Sequence, residues 1–128
     1  MNLPAHELPE KGLGRGFQFL GDIRVLDLTS SIAGPYATMM LADLGAEVIK
    51  IEPAGRGDDA RHWGPPFLSE ESPWYLSVNR NKKSVALDLR ASDATQVVYD
   101  LVSVSDVVVS NFLPRVRRKL NLEESQLR

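Results

Sequence analysis

A chain of 128 residues, 43% hydrophobic and 25% charged, has the composition of one globular domain and not of a disordered or fibrous protein. Its formal net charge of −2 gives no global attraction for nucleic acid or an acidic membrane, so any anion it binds must be held by a local cluster. The lack of cysteine excludes disulfides, a thiolate nucleophile and thiolate-ligated metal; His6 and His62 show no metal-ligand spacing, and no apolar run reaches the ~18 residues needed to span a bilayer.

Residues 1–20 hold Pro4, Pro9, Gly12, Gly14 and Gly16 among polar residues and read as a flexible leader. No apolar segment of a secretion signal stands there, so the expected location is cytoplasmic, with an organelle matrix as the alternative. Residues 21–128 then read as a single domain. Ile23–Leu28 predicts a buried strand, and Ala33-Gly34-Pro35 opens a helix whose apolar face is Met39, Met40 and Leu44, with Gly45 as its C-cap. Glu47–Ile51 predicts a second strand. Glu52–Ser72, rich in Gly, Pro and charge, predicts a long surface loop, functional or mobile. A short helix over Pro73–Val78 presents Asn79–Ser84, and Val85–Leu89 predicts a third strand. Ser92 caps a helix running to about Val104, with Val97, Val98, Leu101 and Val102 on its apolar face. Asp106–Val109 predicts a fourth strand, Asn111–Pro114 a turn, Arg115–Leu120 a basic helix, and Asn121–Arg128 the opening of another.

This alternation predicts an α/β fold: a Rossmann-like open parallel sheet with helices on both faces. Ligands of such sheets bind outside the carboxyl ends of the strands, here Thr29–Ala33, Glu52–Asp58, Asp88–Arg90 and Ser110–Phe112. The first turn lacks the G-x-G-x-x-G pattern, which weighs against ordinary dinucleotide binding. Its small residues still allow backbone N–H groups to meet an anion, or merely make a tight connection capped by hydroxyls. Gly55–Asp59 offers close backbone approach and Arg56, or is a solvated loop. Two basic clusters, Asn79–Ser84 and Arg115–Lys119, were both expected beside strand carboxyl ends, where together they suit a polyphosphate. Asn111 and Phe112 fit an amide contact and a stacking contact to a base, although a lone Phe is more often core. Ser30 and Ser31 have no histidine base nearby, and Asp27 and Asp88, inside predicted strands, read as structural carboxylates.

Val25-Leu26-Asp27-Leu28-Thr29, Ala33-Gly34-Pro35, Leu44–Glu52 (LGAEVIKIE), Gly57-Asp58, Asn79–Ser84 with Leu87-Asp88-Leu89, and Asp106–Phe112 (DVVVSNF) follow in order. Together they resemble the opening of class III CoA-transferases, from about Leu20 to the end. Gly57–Ser84 is most similar to members acting on dicarboxylic acids such as succinate and glutarate. The resemblance implies a transferase that moves coenzyme A between an acyl-CoA thioester and a free carboxylic acid. It does so through an attacking aspartate, a mixed anhydride and an aspartyl-CoA thioester, without metal, in an interlocked homodimer. It implies coenzyme A contacts at Ser31, Ile32, Ala33, Leu87, Arg90, Asn111, Phe112 and Lys119. It also implies that this chain is an N-terminal part: family members are much longer, and their catalytic aspartate aligns with none of Asp27, Asp58, Asp59, Asp88 or Asp106, so no catalytic residue is expected here. Where the family has Pro-Gly after the Asn-Phe pair, this chain has Pro114-Arg115. The rival expectation is a non-catalytic module that binds coenzyme A or a nucleotide.

Overall fold

A computed structural model describes residues 18–128. The expected leader therefore lies, up to residue 17, outside the described residues. Leu20 already belongs to the fold: its N–H donates to the Leu44 carbonyl at 3.0 Å, and its side chain packs on the core.

Four strands, β1 (Arg24–Asp27), β2 (Glu47–Glu52), β3 (Lys82–Ala86) and β4 (Val107–Val109), form one parallel sheet in the order β3-β2-β1-β4. The helices between and after them are α1 (Ala33–Asp43), α2 (Pro73–Asn79), α3 (Ala94–Ser103), α4 (Pro114–Lys119) and α5 (Glu124–Leu127). The chain winds outward from β1 to β3, then crosses to β4 on the other side of β1. That reversal opens a crevice at the carboxyl ends of the strands, as expected for a doubly wound sheet.

Successive strand residues face opposite sides, and each side has its own core. Val25 and Val48 meet Ala42 and Ala46 on the α1 side. Leu26, Leu28 and Ile51 meet Val98 of α3 and Leu122, which precedes α5. Burying aliphatic side chains of this size contributes about 1.5–3 kcal/mol each.

Helix α1 presents a different face from the expected one. Met39 is buried, but Met40 and Leu44 are exposed, and Pro35, Thr38 and Ala42 point inward. The Thr38 hydroxyl donates to Asp27 Oδ2 at 2.6 Å, so a buried hydrogen bond, and not total apolarity, sets the helix rotation. Gly45 closes α1 at φ 103°, as its C-cap role requires. In α3 the inward stripe begins at Ala94 and Val98, while Val97 is turned out; the residue preceding the helix is Asp93 and not Ser92.

The third strand lies three residues earlier than expected. Lys82 and Ser84 project to the α1 side of the sheet, where they meet Asp27 and Glu52. Polar residues pointing inward defeat a search for apolar runs. Pro114 occupies the first turn of α4, where its missing N–H is no loss, and Arg115 follows in ordinary helical conformation. No glycine is needed there.

Glycine is required at one close approach. A Cβ on Gly34 would stand 2.6 Å from Thr29 Cγ2 and 2.7 Å from its Oγ1, and Thr29 is buried and bonded to Asp27. We expect Gly34→Ala to cost about 1–3 kcal/mol through overpacking, read as a lower urea midpoint with an unchanged slope.

Candidate functional site

Beneath the carboxyl ends of β1 and β2, on the α1 side, lies a layer of buried charge. Asp27, fully buried, accepts from the Thr29 N–H at 2.9 Å and Thr38 at 2.6 Å, and Lys82 Nζ stands 3.1 Å away. Lys50 is 1% exposed; its Nζ donates to the Thr29 carbonyl at 2.8 Å and meets Asp58 Oδ2 at 2.8 Å, an ion-pair contact outside good hydrogen-bond alignment. Glu52, 2% exposed, receives the Arg61 fork (Nε to Oε2 2.7 Å, Nη2 to Oε1 2.9 Å). It also accepts from the Ser84 and Tyr75 hydroxyls and the Asp58 N–H. Arg61 continues to Glu71 at 3.1 Å and lies 3.7 Å from the centre of the Tyr75 ring.

The electrostatics follow from these contacts. Burial alone would raise the Asp27 carboxyl, but Lys50, Thr29, Thr38 and Lys82 outweigh it and hold it below the usual range. Burial likewise opposes ionisation of Glu52, and the Arg61 fork with three further donors brings it down to about 2. Burial pushes the Tyr75 phenol up, reinforced by the Glu52 charge it donates to. Burial pushes the Lys82 ammonium down, against the pull of Asp27.

This layer also organises the segment after β2. Far from being a free loop, it turns through a single 3-10 helix at Asp59–His62, with Asp58 as its cap, and Asp58, Ala60 and Ser72 are buried. His62 Nε2 lies 2.9 Å from the Arg56 carbonyl. Among the described residues no cluster of His, Cys, Asp or Glu fits a metal ion, and no described helix is long and apolar enough to cross a membrane.

The first turn is locked by side chains from elsewhere. Asn111 exchanges two hydrogen bonds with the Ser30 backbone: its Oδ1 accepts from the N–H at 3.1 Å and its Nδ2 donates to the carbonyl at 2.9 Å. The Ser31 N–H donates to Asp58 Oδ1 at 3.0 Å, and Ser31 is held at φ 70°, a left-handed conformation costly for a side-chain-bearing residue. The N–H groups of Ser30 and Ser31 therefore both have protein partners.

Outside this turn, at the strand ends, is a cavity of about 460 Å³, within the usual range for small-molecule sites. Its apolar wall includes Leu28, Ile51, Leu87, Leu89 and Phe112; Arg56, Arg90 and Lys119 supply positive charge. Arg90 Nε bonds Asp88 Oδ1 at 3.1 Å, and Arg56 pairs with Asp59. No ion pair engages Lys119 among the described residues.

Of the residues expected to touch a ligand, the structure gathers Leu87, Arg90, Phe112 and Lys119 around this cavity. Asn111, Ser31, Ile32 and Ala33 lie next to it, in or against the first turn, and are not among its walls. The Asn79–Ser84 cluster is elsewhere: it enters β3 at the amino end of the sheet, not a carboxyl end, and its charges are paired, Lys82 in a buried contact and Arg80 and Lys83 in exposed ones. Arg80 pairs with Asp43, Lys83 with Glu47, and Lys82 with Asp27. Sequence reasoning missed Lys50, Glu52 and Arg61. A lysine inside the apolar run EVIKI was the available signal, since a buried ammonium demands a carboxylate partner.

Comparison with known proteins agrees with this architecture. The family model described as CoA-transferase family III matches residues 20–128. A succinyl-CoA:glutarate CoA-transferase of Mus musculus is 54% identical over 95 residues, which cover 74% of this chain and 22% of that protein. A succinyl-CoA–D-citramalate CoA-transferase of Chloroflexus aurantiacus is 45% identical over 95 residues, 74% of this chain and 24% of the relative. A crystal structure of a CaiB/BaiF family protein from Brucella suis superposes with a TM-score of 0.80 at 34% identity, covering 88% of this chain and 30% of that one. A hypothetical protein of Mycobacterium tuberculosis gives 0.79 at 42% identity, covering 89% and 31%. The α/β chain described here belongs to CoA-transferase family III, and it spans less than a third of the length of these relatives.

The Glu52 carboxyl titrates near 4.5 in an unfolded chain and about 2 in the fold, so its contribution to stability is full above about pH 4.5 and is lost as pH falls towards 2. We expect urea melts of the wild type minus Glu52→Gln to show a stability difference on the order of 2–3 kcal/mol at neutral pH that shrinks through this window.

Proposed function

We propose that this chain supplies coenzyme A-binding surface to a transferase that moves coenzyme A between an acyl-CoA thioester and a free carboxylic acid. The observation that carries the reading is the cavity at the strand ends, with an apolar wall and three cationic side chains. Arg90 and Lys119, with Arg56, suit the phosphates; Phe112 and Leu87 suit the base; both kinds of group are needed for a ligand that is part aromatic and part polyanion. Ser31, Ile32, Ala33 and Asn111 take part by shaping the neighbouring turn of this Rossmann-like domain. Relatives named for succinyl-CoA and glutarate favour dicarboxylic acids as acceptors.

The five aspartates discussed above are all engaged in the fold. Asp27 and Asp58 are buried and paired, Asp59 and Asp88 hold Arg56 and Arg90, and Asp106 Oδ2 accepts from the Arg24 N–H at 2.8 Å. In this reading none of the five is the attacking carboxylate, and the described residues contribute to binding. A homodimer is part of the same reading and rests on the family resemblance.

Calorimetric titration of the 128-residue chain with coenzyme A, against dephospho-coenzyme A, tests the assignment. Coenzyme A should bind more tightly than the dephospho form, and Arg90→Ala and Lys119→Ala should each weaken it about three- to tenfold at low salt. A folded chain that binds neither compound, or Arg90→Ala and Lys119→Ala variants that both bind coenzyme A with wild-type affinity, would remove coenzyme A from these positions.

A further inference from the structure

We propose that Asp58 is a positioning residue that presets the cavity, with Lys50 neutralising it. The proposal rests on the coenzyme A reading for its ligand, but its geometry does not. Asp58 is 1% exposed and lies at the meeting point of three walls. Its Oδ1 accepts from the Ser31 N–H at 3.0 Å and the Ala60 N–H at 2.9 Å, joining the first turn to the 3-10 helix. Its own N–H donates to Glu52 Oε2 at 2.9 Å, tying the same point to β2. Lys50 Nζ contacts Asp58 Oδ2 and the Thr29 carbonyl, each at 2.8 Å, so it grips both ends of the Thr29–Ser31 stretch.

Two consequences follow. Ser31 remains in its strained left-handed conformation because the acceptor for its N–H is held fixed from outside the turn. The carboxylate, which borders a cavity bearing Arg56, Arg90 and Lys119, is also cancelled by a buried ammonium and does not repel an anionic ligand. The turn, the 3-10 segment that carries Asp59, and the end of β2 therefore form one unit prepared before the ligand arrives, which lowers the ordering cost of binding.

Asp58→Ala alone leaves Lys50 buried and unpaired, and that variant can fail to fold for this reason. The test compares Asp58→Asn with Asp58→Ala, both in a Lys50→Met background. Asparagine retains the carbonyl acceptor for Ser31 and Ala60; alanine does not. With both double variants shown folded by their amide spectra, Lys50→Met/Asp58→Ala should bind coenzyme A about tenfold or more weakly than Lys50→Met/Asp58→Asn. The Ser31 amide should exchange slowly with solvent in the asparagine variant and rapidly in the alanine variant. Equal affinity together with equal exchange overturns the proposal. If the folded wild type binds no coenzyme A, the ligand reading falls, and the Ser31 exchange comparison still decides whether Asp58 holds the turn. If neither double variant folds, the wild type decides: a Ser31 amide exchanging as fast as an unbonded one overturns the proposal, and a protected one supports it.

Discussion

An ammonium group cannot be placed 1% exposed in the middle of a protein without a counter-charge, and Lys50 is placed there by the alternation of β2. Its neighbours Val48 and Ile51 commit the strand to the centre of the sheet, and the register with β1 brings Lys50 opposite Asp27. From that point much of the nearby chain is constrained. Asp58 must return from the following segment to pair with Lys50, the Thr29 carbonyl must point at Nζ, and the 3-10 helix must begin where Asp58 can cap it. Removing one partner from such a buried pair typically costs about 3–5 kcal/mol, because the remaining charge stays desolvated. The two chain segments are held together by that penalty.

The neighbouring pairs extend the same logic across the sheet face. Glu52 and Arg61 fasten the segment leading to α2, and Asp27, Thr38 and Lys82 set the rotation of α1 and the register of β3. Apolar packing fills the α3 side, whereas on the α1 side the carboxyl half of the sheet is organised by charge. A polar layer of this kind is specific in a way that an aliphatic one is not, since each donor has few acceptable acceptors.

Function benefits from where this layer stands. It lies under the turn and strand ends that border the cavity, so the walls are fixed largely by buried contacts. The cations facing the cavity differ in kind from those below. Arg56 and Arg90 are exposed and held by exposed acids, and such pairs are weak and easily exchanged for another anion. The buried pairs prepare the shape, and the exposed charges remain available for a ligand.

Local pattern in the sequence carried the α/β alternation, the parallel sheet, the glycine cap of α1 and the carboxyl ends of the strands as the place to look. Strand and helix periodicities and the preference of Pro and Gly for particular backbone positions are short-range effects. The motif order also carried the family. Tertiary structure alone decided the partner of each buried charge. Asp58 meets Ser31, Asn111 meets Ser30 and Lys82 meets Asp27 across 27, 81 and 55 positions of chain, and no local rule spans such distances. For the same reason Met40 and Leu44 read as core yet lie outside, and the basic run at Asn79–Ser84, expected beside a carboxyl strand end, stands at the amino end of the sheet with Lys82 buried against Asp27. A side chain's environment is set by whatever the sheet brings opposite it, and a buried charge finds its counter-charge only once the strands have taken their register.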